Sequence, residues 1–375
     1  MRSTRLALLA AGVGLTLALS ACGANEDTGG GGGGGGDTAE QSSDLVPVGV
    51  ILPETASSAR WEGFDKPMIE EAMRAQGLDA DVQNAQGDVQ KFSQIADTMI
   101  SNGVKVLVIA SINSEVGGTV AQQANAQGIP TIDYDRLNLG GSSDYYVSFD
   151  NVKVGELQGQ GLADALKAKK GAKVIEIEGA PTDNNATLFH QGQQNILKPL
   201  YEDGSLDLLQ SQPIDNWDNQ KGGTTFEQIL TANGGKVDGV VAANDGLAGA
   251  VIAVLRKNGL NGKVPVTGQD ATADGLKAIL AGDQYMTVFK PIKAEAEATA
   301  KLAAALAKGD TAAADKIATG STTDTKANRE VKSVLSEPVL ITKAEVKKVV
   351  DEGYIKAADL CAGALATVCA ELKIA

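Results

Sequence analysis

Charged and polar side chains gather where the apolar runs of this chain stop. The run "TIDYDRL" (131–137) ends in Asp135 and Arg136, and "VPVGVIL" (46–52) leads into "PETASSARW", which brings Arg60 and Trp61. Further along come Asp183 and Asn185 in "APTDNN", Trp217 in "IDNW", Asn244 in "AND", Asp270 in "GQD" and Lys290 in "FKP". Carboxylate acceptors interleaved with Arg, Lys and Asn donors suit a ligand dense in hydroxyls, because each hydroxyl donates and accepts at once. Hydrogen bonds to charged groups contribute about 1.5–3 kcal/mol each. A few of them with ring stacking supply the roughly 8 kcal/mol of a micromolar complex. Trp61 and Trp217 are the only two tryptophans in 375 residues, and an indole is a flat apolar wall for the C–H face of a sugar ring. The set predicts a monosaccharide site. Taken singly, Asp183, Asp245 and Asp270 each also suit a helix N-cap; the recurrence at one end of successive runs favours a site. Strand alternation places Asp133 on the opposite side of the chain from Tyr134 and predicts a structural acid there.

These residues meet only if the strands that carry them run parallel. From residue 44 onward, ten short apolar runs alternate with segments such as "QKFSQIADTMISNG" and "GLAGAVIAVLRKNG", which carry apolar residues at helical spacing and stop at Gly. Strand, helix, strand repetition predicts an α/β protein of two lobes, each a doubly wound, mostly parallel sheet of about five strands with helices on both faces. Ligands collect at the carboxyl ends of such strands. The division falls near Asp150, and the helix "AEAEATAKLAAALAKG" is expected to cross back. The lobes are therefore expected over 44–150 plus about 291–335, and over 151–290 plus about 336–375.

The first residues read as an export signal. Arg2 and Arg5 precede the apolar "LALLAAGVGLTLAL", and "LSAC" follows. That ending resembles a bacterial lipobox: residues 1–21 are expected to be a lipoprotein signal peptide, Cys22 the lipidated residue, and 22–43 a Gly-rich tether. The chain is then expected to be anchored to the outer face of the bacterial cytoplasmic membrane. In an oxidising compartment Cys361 and Cys369 are expected to form a disulfide. A straight helix would hold them about 12 Å apart, beyond the reach of about 7 Å, so a bend is expected near Gly363. One histidine and no CxxC give no metal site, and no cofactor is expected. A net charge of −14 argues against nucleic acid as a partner.

The stretches "YDRL", "SFDNVKVGELQ", "PTDNNATLF", "ILKPLY", "AANDGLAGAVIAVL", "TGQDA" and "MTVFKPI", in that order, resemble the periplasmic-type sugar-binding proteins of ABC transporters, and within them the D-xylose-binding branch. The resemblance spans roughly residues 46 to 345. It implies a two-lobed type I periplasmic binding protein fold that closes on a sugar, a permease as partner, a monomer, and no enzymatic activity. It also implies sugar contacts by Arg60, Trp61, Asp135, Arg136, Asp183, Asn185, Trp217, Asn244, Asp270 and Lys290. The first loop, "TASSARWEG", is more similar to multiple-monosaccharide-binding proteins, which implies glucose, galactose and arabinose as the alternative ligands. The tail with Cys361 and Cys369 lies outside the resemblance, and His190 reads as a helix-surface residue.

Other classes fit less well. Repressors of this fold carry an N-terminal helix-turn-helix, where this chain has an export signal. Asp135, Asp183 and Asp270 could pair as acid and base on a sugar, but their Arg and Lys neighbours favour ionised carboxylates. "GELQGQGLAD" fits a dinucleotide fingerprint only loosely. A sensor presenting sugar to a membrane receptor would share the same pocket.

Overall fold

The computed structural model describes residues 45–374. The expected signal peptide, the lipidated Cys22 and the Gly-rich tether lie outside the described residues. The chain begins with β1 (Val46–Leu52), whose residues from Val48 to Leu52 are buried. β1 lies between two parallel partners and is covered on both faces, which explains a continuous apolar run rather than an alternating one. Next come α1 (Lys66–Ala75), β2 (Leu78–Asn84), α2 (Val89–Ser101), β3 (Val106–Ile109), α3 (Ser114–Ala126), β4 (Thr131–Tyr134) and β5 (Tyr145–Phe149). The second lobe holds α4 (Asn151–Leu166), β6 (Ala172–Glu178), α5 (Asn184–Glu202), β7 (Leu206–Pro213), α6 (Asn219–Ala232), β8 (Gly239–Ala242), α7 (Asp245–Lys257), α8 (Ala273–Ala281) and β9 (Met286–Phe289). The chain returns with α9 (Ile292–Ala307), α10 (Thr311–Ile317), β10 (Gly320–Asp324) and β11 (Arg329–Ser336), and ends with β12 (Val339–Thr342), α11 (Val346–Asp351), α12 (Ala357–Leu360) and α13 (Ala366–Glu371).

The first sheet runs β10-β11-β5-β4-β3-β1-β2, parallel except for the β10–β11 hairpin. It exceeds the expected five strands because β10 and β11 add an edge whose half-polar sequence, "GSTTD" and "REVKSVLS", has no apolar run. The second lobe has the parallel trio β7-β6-β8 and the antiparallel pair β12-β9. Between them the run 263–270 makes a single bridge, Val240 to Val266, and no full strand. Pro265 interrupts the ladder there, since it has no N–H to give. In chain order, strands of the first sheet give way to those of the second between β5 and β6, return after β9 with β10 and β11, and leave again for β12. Helix α9 packs on α1, and Ala296, Ala300 and Ala303 join Val50, Trp61 and Ile69 in the first lobe's core.

The glycines of "GELQGQGLAD" lie inside α4 and serve helix packing rather than phosphate binding. A Cβ on Gly155 would come within 1.9 Å of the Phe189 carbonyl oxygen of α5, and one on Gly192 within 2.0 Å of the Val152 carbonyl oxygen. Only glycine allows the two backbones to approach this closely. Asp183 caps α5 as expected, but α7 is capped by Asn244 and α8 by Thr272, not by Asp245 or Asp270. In the tail, the helix breaks at Gly363 (φ 59°), and Cys361 and Cys369 are disulfide-bonded with their Cα atoms 5.7 Å apart.

Two buried acids hold loops in place. Asp133 accepts hydrogen bonds from the Asn138 backbone and amide and from Ser143, fixing the β4–β5 connection. Asp245 accepts from Thr272, Gln284 and Thr287. Burial pushes their carboxyls up, to about 6 for Asp133 and about 7 for Asp245. Above the unfolded value of about 3.9, the folded state therefore binds more protons than the unfolded one, and this contribution to stability is lost as pH rises through 6 to 7. The urea midpoint is expected to be higher at pH 5 than at pH 8; an equal or higher midpoint at pH 8 would contradict these assignments.

Candidate functional site

The carboxyl ends of the strands in both lobes converge on one narrow cavity, where ligands of open parallel sheets collect. All ten residues expected from the sequence line it: Arg60, Trp61, Asp135 and Arg136 from the first lobe, and Asp183, Asn185, Trp217, Asn244, Asp270 and Lys290 from the second. Ser57, Ser58, Phe189 and Gln269 complete the wall.

The loop after β1 runs into a π-helical turn, Trp61–Asp65, which continues as α1. Such wide turns recur at functional sites, and this one places Arg60 and Trp61 side by side. Arg60 is buried and anchored by acids on three sides. Its Nε and Nη2 donate to Asp65 at 2.8 and 2.6 Å, Nη1 donates to Asp135 at 2.6 Å, and Nη2 also reaches Glu295 at 3.1 Å. Tyr134 donates its hydroxyl to Asp65 at 2.7 Å. Burial opposes the charge on Arg60, but the carboxylates raise its pKa further. Burial and the neighbouring Asp135 push the Glu295 carboxyl well up, so it is the member of the cluster driven toward its protonated form. Burial also opposes ionisation of Asp135, yet Arg60, Lys290 and Arg136 together hold its carboxyl well below the usual range. Asp135 is thus a fixed negative acceptor at the centre of the site.

The second lobe meets this centre directly. Asn185 Nδ2 donates to the Asp135 carbonyl at 2.8 Å, and Arg136 Nε lies 3.2 Å from Asp183. Lys290 Nζ lies 3.4 Å from Asp135 and 3.3 Å from Asp270, and Ser58 donates to Asp270 at 3.0 Å. The contacts of Asn185 and Lys290 with Asp135, of Arg136 with Asp183 and of Ser58 with Asp270 join strand ends of the two sheets across the cavity. Arg136 also donates to the Ser111 carbonyl at 2.9 Å, and its guanidinium lies 5.2 Å from the Trp61 ring centre. Trp61 donates to Glu54 and Trp217 to Asp183, so each indole is pinned by its polar edge. Among the described residues, Gln269 Oε1 is buried without a hydrogen-bond donor.

Backbone strain concentrates here. Asp135 (φ 61°), Trp217 (φ 54°) and Asp270 (φ 93°) sit in the left-handed region, together with Asn216 and Ala271. That region is unfavourable for a bulky side chain, and such strain gathers at ligand sites. Gly179 makes room for the Trp217 indole, which a Cβ there would meet at 2.2 Å.

Sequence reading missed Asp65 and Glu295, the acids behind Arg60. Both lie in or beside helices, where an acid ordinarily faces water. It also left Ser57, Ser58 and Phe189 out of the site; Gln269 was visible in "GQD" beside Asp270. His190 lies outside the cavity, half-exposed on α5, with Nδ1 3.6 Å from Glu178. Glu176, Glu178 and His190 bring potential ligand atoms within 4.8 Å of one another. Glu176 Oε1 accepts from Gln194 and from Tyr201.

The fold and this interlobe cavity can be set beside known proteins. The family model described as "Periplasmic binding protein domain" matches residues 48–311. The chain belongs to this family. This periplasmic binding protein is 37% identical over 302 residues, 80% of its own length and 88% of the relative's, to the D-xylose-binding periplasmic protein of Escherichia coli. It is 35% identical over 340 residues to the multiple sugar-binding periplasmic receptor ChvE of Rhizobium radiobacter, covering 85% and 93% of the two chains. An ABC transporter solute binding protein from Clostridium phytofermentans with bound β-D-glucose shares the fold with a TM-score of 0.75 at 31% identity, over 84% of this chain and 99% of that one. The fold and the relatives are those of substrate-binding proteins and not of enzymes. The acids of the cavity are therefore read as hydrogen-bond acceptors rather than proton-transfer catalysts.

Proposed function

We propose that this periplasmic binding protein is the solute-binding lipoprotein of an ABC sugar importer. It captures one monosaccharide, D-xylose before other aldoses, between two closing lobes and delivers it to a membrane permease. One observation carries the reading: charged acceptors, charged donors and both tryptophans, drawn from both lobes, line a single cavity. Asp135, Asp183 and Asp270 accept from sugar hydroxyls; Arg60, Arg136, Lys290, Asn185 and Asn244 donate; Trp61 and Trp217 flank the ring. The xylose reading is supported by the relatives of E. coli and Haemophilus influenzae, both D-xylose-binding periplasmic proteins. The lobes on either side are taken as 44–150 plus about 291–335 and 151–290 plus about 336–375. Lipidation at Cys22 would tether the protein to the membrane that holds the permease.

A broader aldose specificity is the second reading. The first loop "TASSARWEG" and the glucose held by the Clostridium phytofermentans relative favour it. Calorimetry with xylose, glucose, galactose, arabinose and ribose separates the two. Tightest binding of xylose is expected; equal affinity for glucose would establish the broader specificity, and no heat with any aldose would sink both.

A further inference from the structure

The tail beyond β12 lies outside the family match, which ends at residue 311. It is folded onto the second lobe: Leu360, Cys369 and Ile374 are buried with Leu276, Ile279 and Phe289, and the disulfide closes the turn at Gly363. From this platform Tyr354 reaches the other lobe. Its ring stacks on Phe64 with centroids 4.2 Å apart and planes 12° from parallel, and meets Phe289 edge-on at 5.0 Å. Its hydroxyl donates to the Asp270 carbonyl at 3.4 Å. Phe64 belongs to the turn that begins with Trp61, Phe289 precedes Lys290, and Asp270 is itself in the cavity wall. One buried ring thus contacts the supports of site residues in both lobes without lining the cavity.

The geometry points to Tyr354 as a positioning residue for the ligand site: held by the disulfide-stapled tail, it braces the Trp61–Asp65 turn of the first lobe against Asp270 and Phe289 of the second. The inference rests on the cavity being the monosaccharide site. A ligand that binds between lobes draws on every contact made in the closed arrangement, including those that never touch it. Loss of the aromatic stack therefore weakens binding by about two- to tenfold.

The test is a double-mutant cycle in the full chain with Tyr354→Leu, Phe64→Leu and the pair, read by calorimetry with D-xylose and by small-angle scattering with and without sugar. Each single variant is expected to weaken binding, the double no more than the weaker-binding single, and Tyr354→Phe to stay within about twofold of the parent because the stack survives. Wild-type affinity in Tyr354→Leu, or single effects that simply multiply in the double, would overturn the role. Should Tyr354→Leu not fold, Phe64→Leu alone tests the same contact from the other lobe, and wild-type affinity there overturns the role as well. A parent protein that binds no aldose would defeat the sugar reading instead. The brace is then judged by scattering without ligand, where Tyr354→Leu must be more extended than the parent, and equal dimensions overturn it.

Discussion

Arg60→Met is expected to lower folding stability by about 3–5 kcal/mol, the cost of removing one partner from a buried ion cluster. The guanidinium is the shared partner of Asp65, Asp135 and Glu295, all buried. Without it, acids are left in a medium that cannot solvate them, and methionine fills the volume but offers no donor. Against a total of about 5–15 kcal/mol for an ordinary domain, the loss is visible as a large fall in the urea midpoint. Glu295→Gln is the control: that carboxyl is already pushed toward its protonated form by burial and by Asp135, so an amide should cost about 1 kcal/mol or less. A midpoint for Arg60→Met indistinguishable from the parent would show that the cluster is neutralised in another way.

Arg136→Ala is expected to abolish sugar binding while leaving the fold intact. Arg136 lines the cavity and bridges toward Asp183 of the other lobe at 3.2 Å while Asp135 stands 4.0 Å away. Its loss removes donors from the ligand and weakens lobe closure together. Two charge-assisted hydrogen bonds at about 1.5–3 kcal/mol each correspond to a hundredfold or greater loss of affinity, on the order of ten per 1.4 kcal/mol. Calorimetry on a variant with an unchanged circular-dichroism melt reads this directly. Unchanged affinity would remove Arg136 from the site.

The site was legible because parallel sheets expose the carboxyl ends of their strands on one side, so residue types after each apolar run already sorted into acceptors, donors and indoles. "TIDYDRL" illustrates both the reach and the limit of that reading. Asp133 as a structural acid and Asp135 with Arg136 at the cavity follow from alternation and position. The positive φ of Asp135, which turns the chain off the strand, is one that Asp tolerates better than most residues, but residue type alone does not single out Asp135 from Asp133. Nor does Tyr134 disclose that its hydroxyl serves Asp65, because that contact joins segments 69 residues apart. Glu295 was hidden by its helix, "IKAEAEATAKLAAALA", in which three-dimensional packing alone separates an acid facing solvent from one facing Arg60. The β10–β11 edge was missed for a different reason: an edge strand is half exposed, and its polar alternation resembles a loop. The disulfide was readable from the expected redox compartment and the bend at Gly363 from helix geometry, but not the use of the tail they shape.

Trp61 and Trp217 are the only tryptophans of the chain and both line the cavity, so intrinsic tryptophan fluorescence reports the site without a label. Titration of the parent protein with D-xylose should give a saturable, one-site change with a dissociation constant on the order of micromolar, absent in Arg136→Ala. No change in either the parent or the variant, for any aldose up to millimolar concentration, would contradict a monosaccharide site between the lobes.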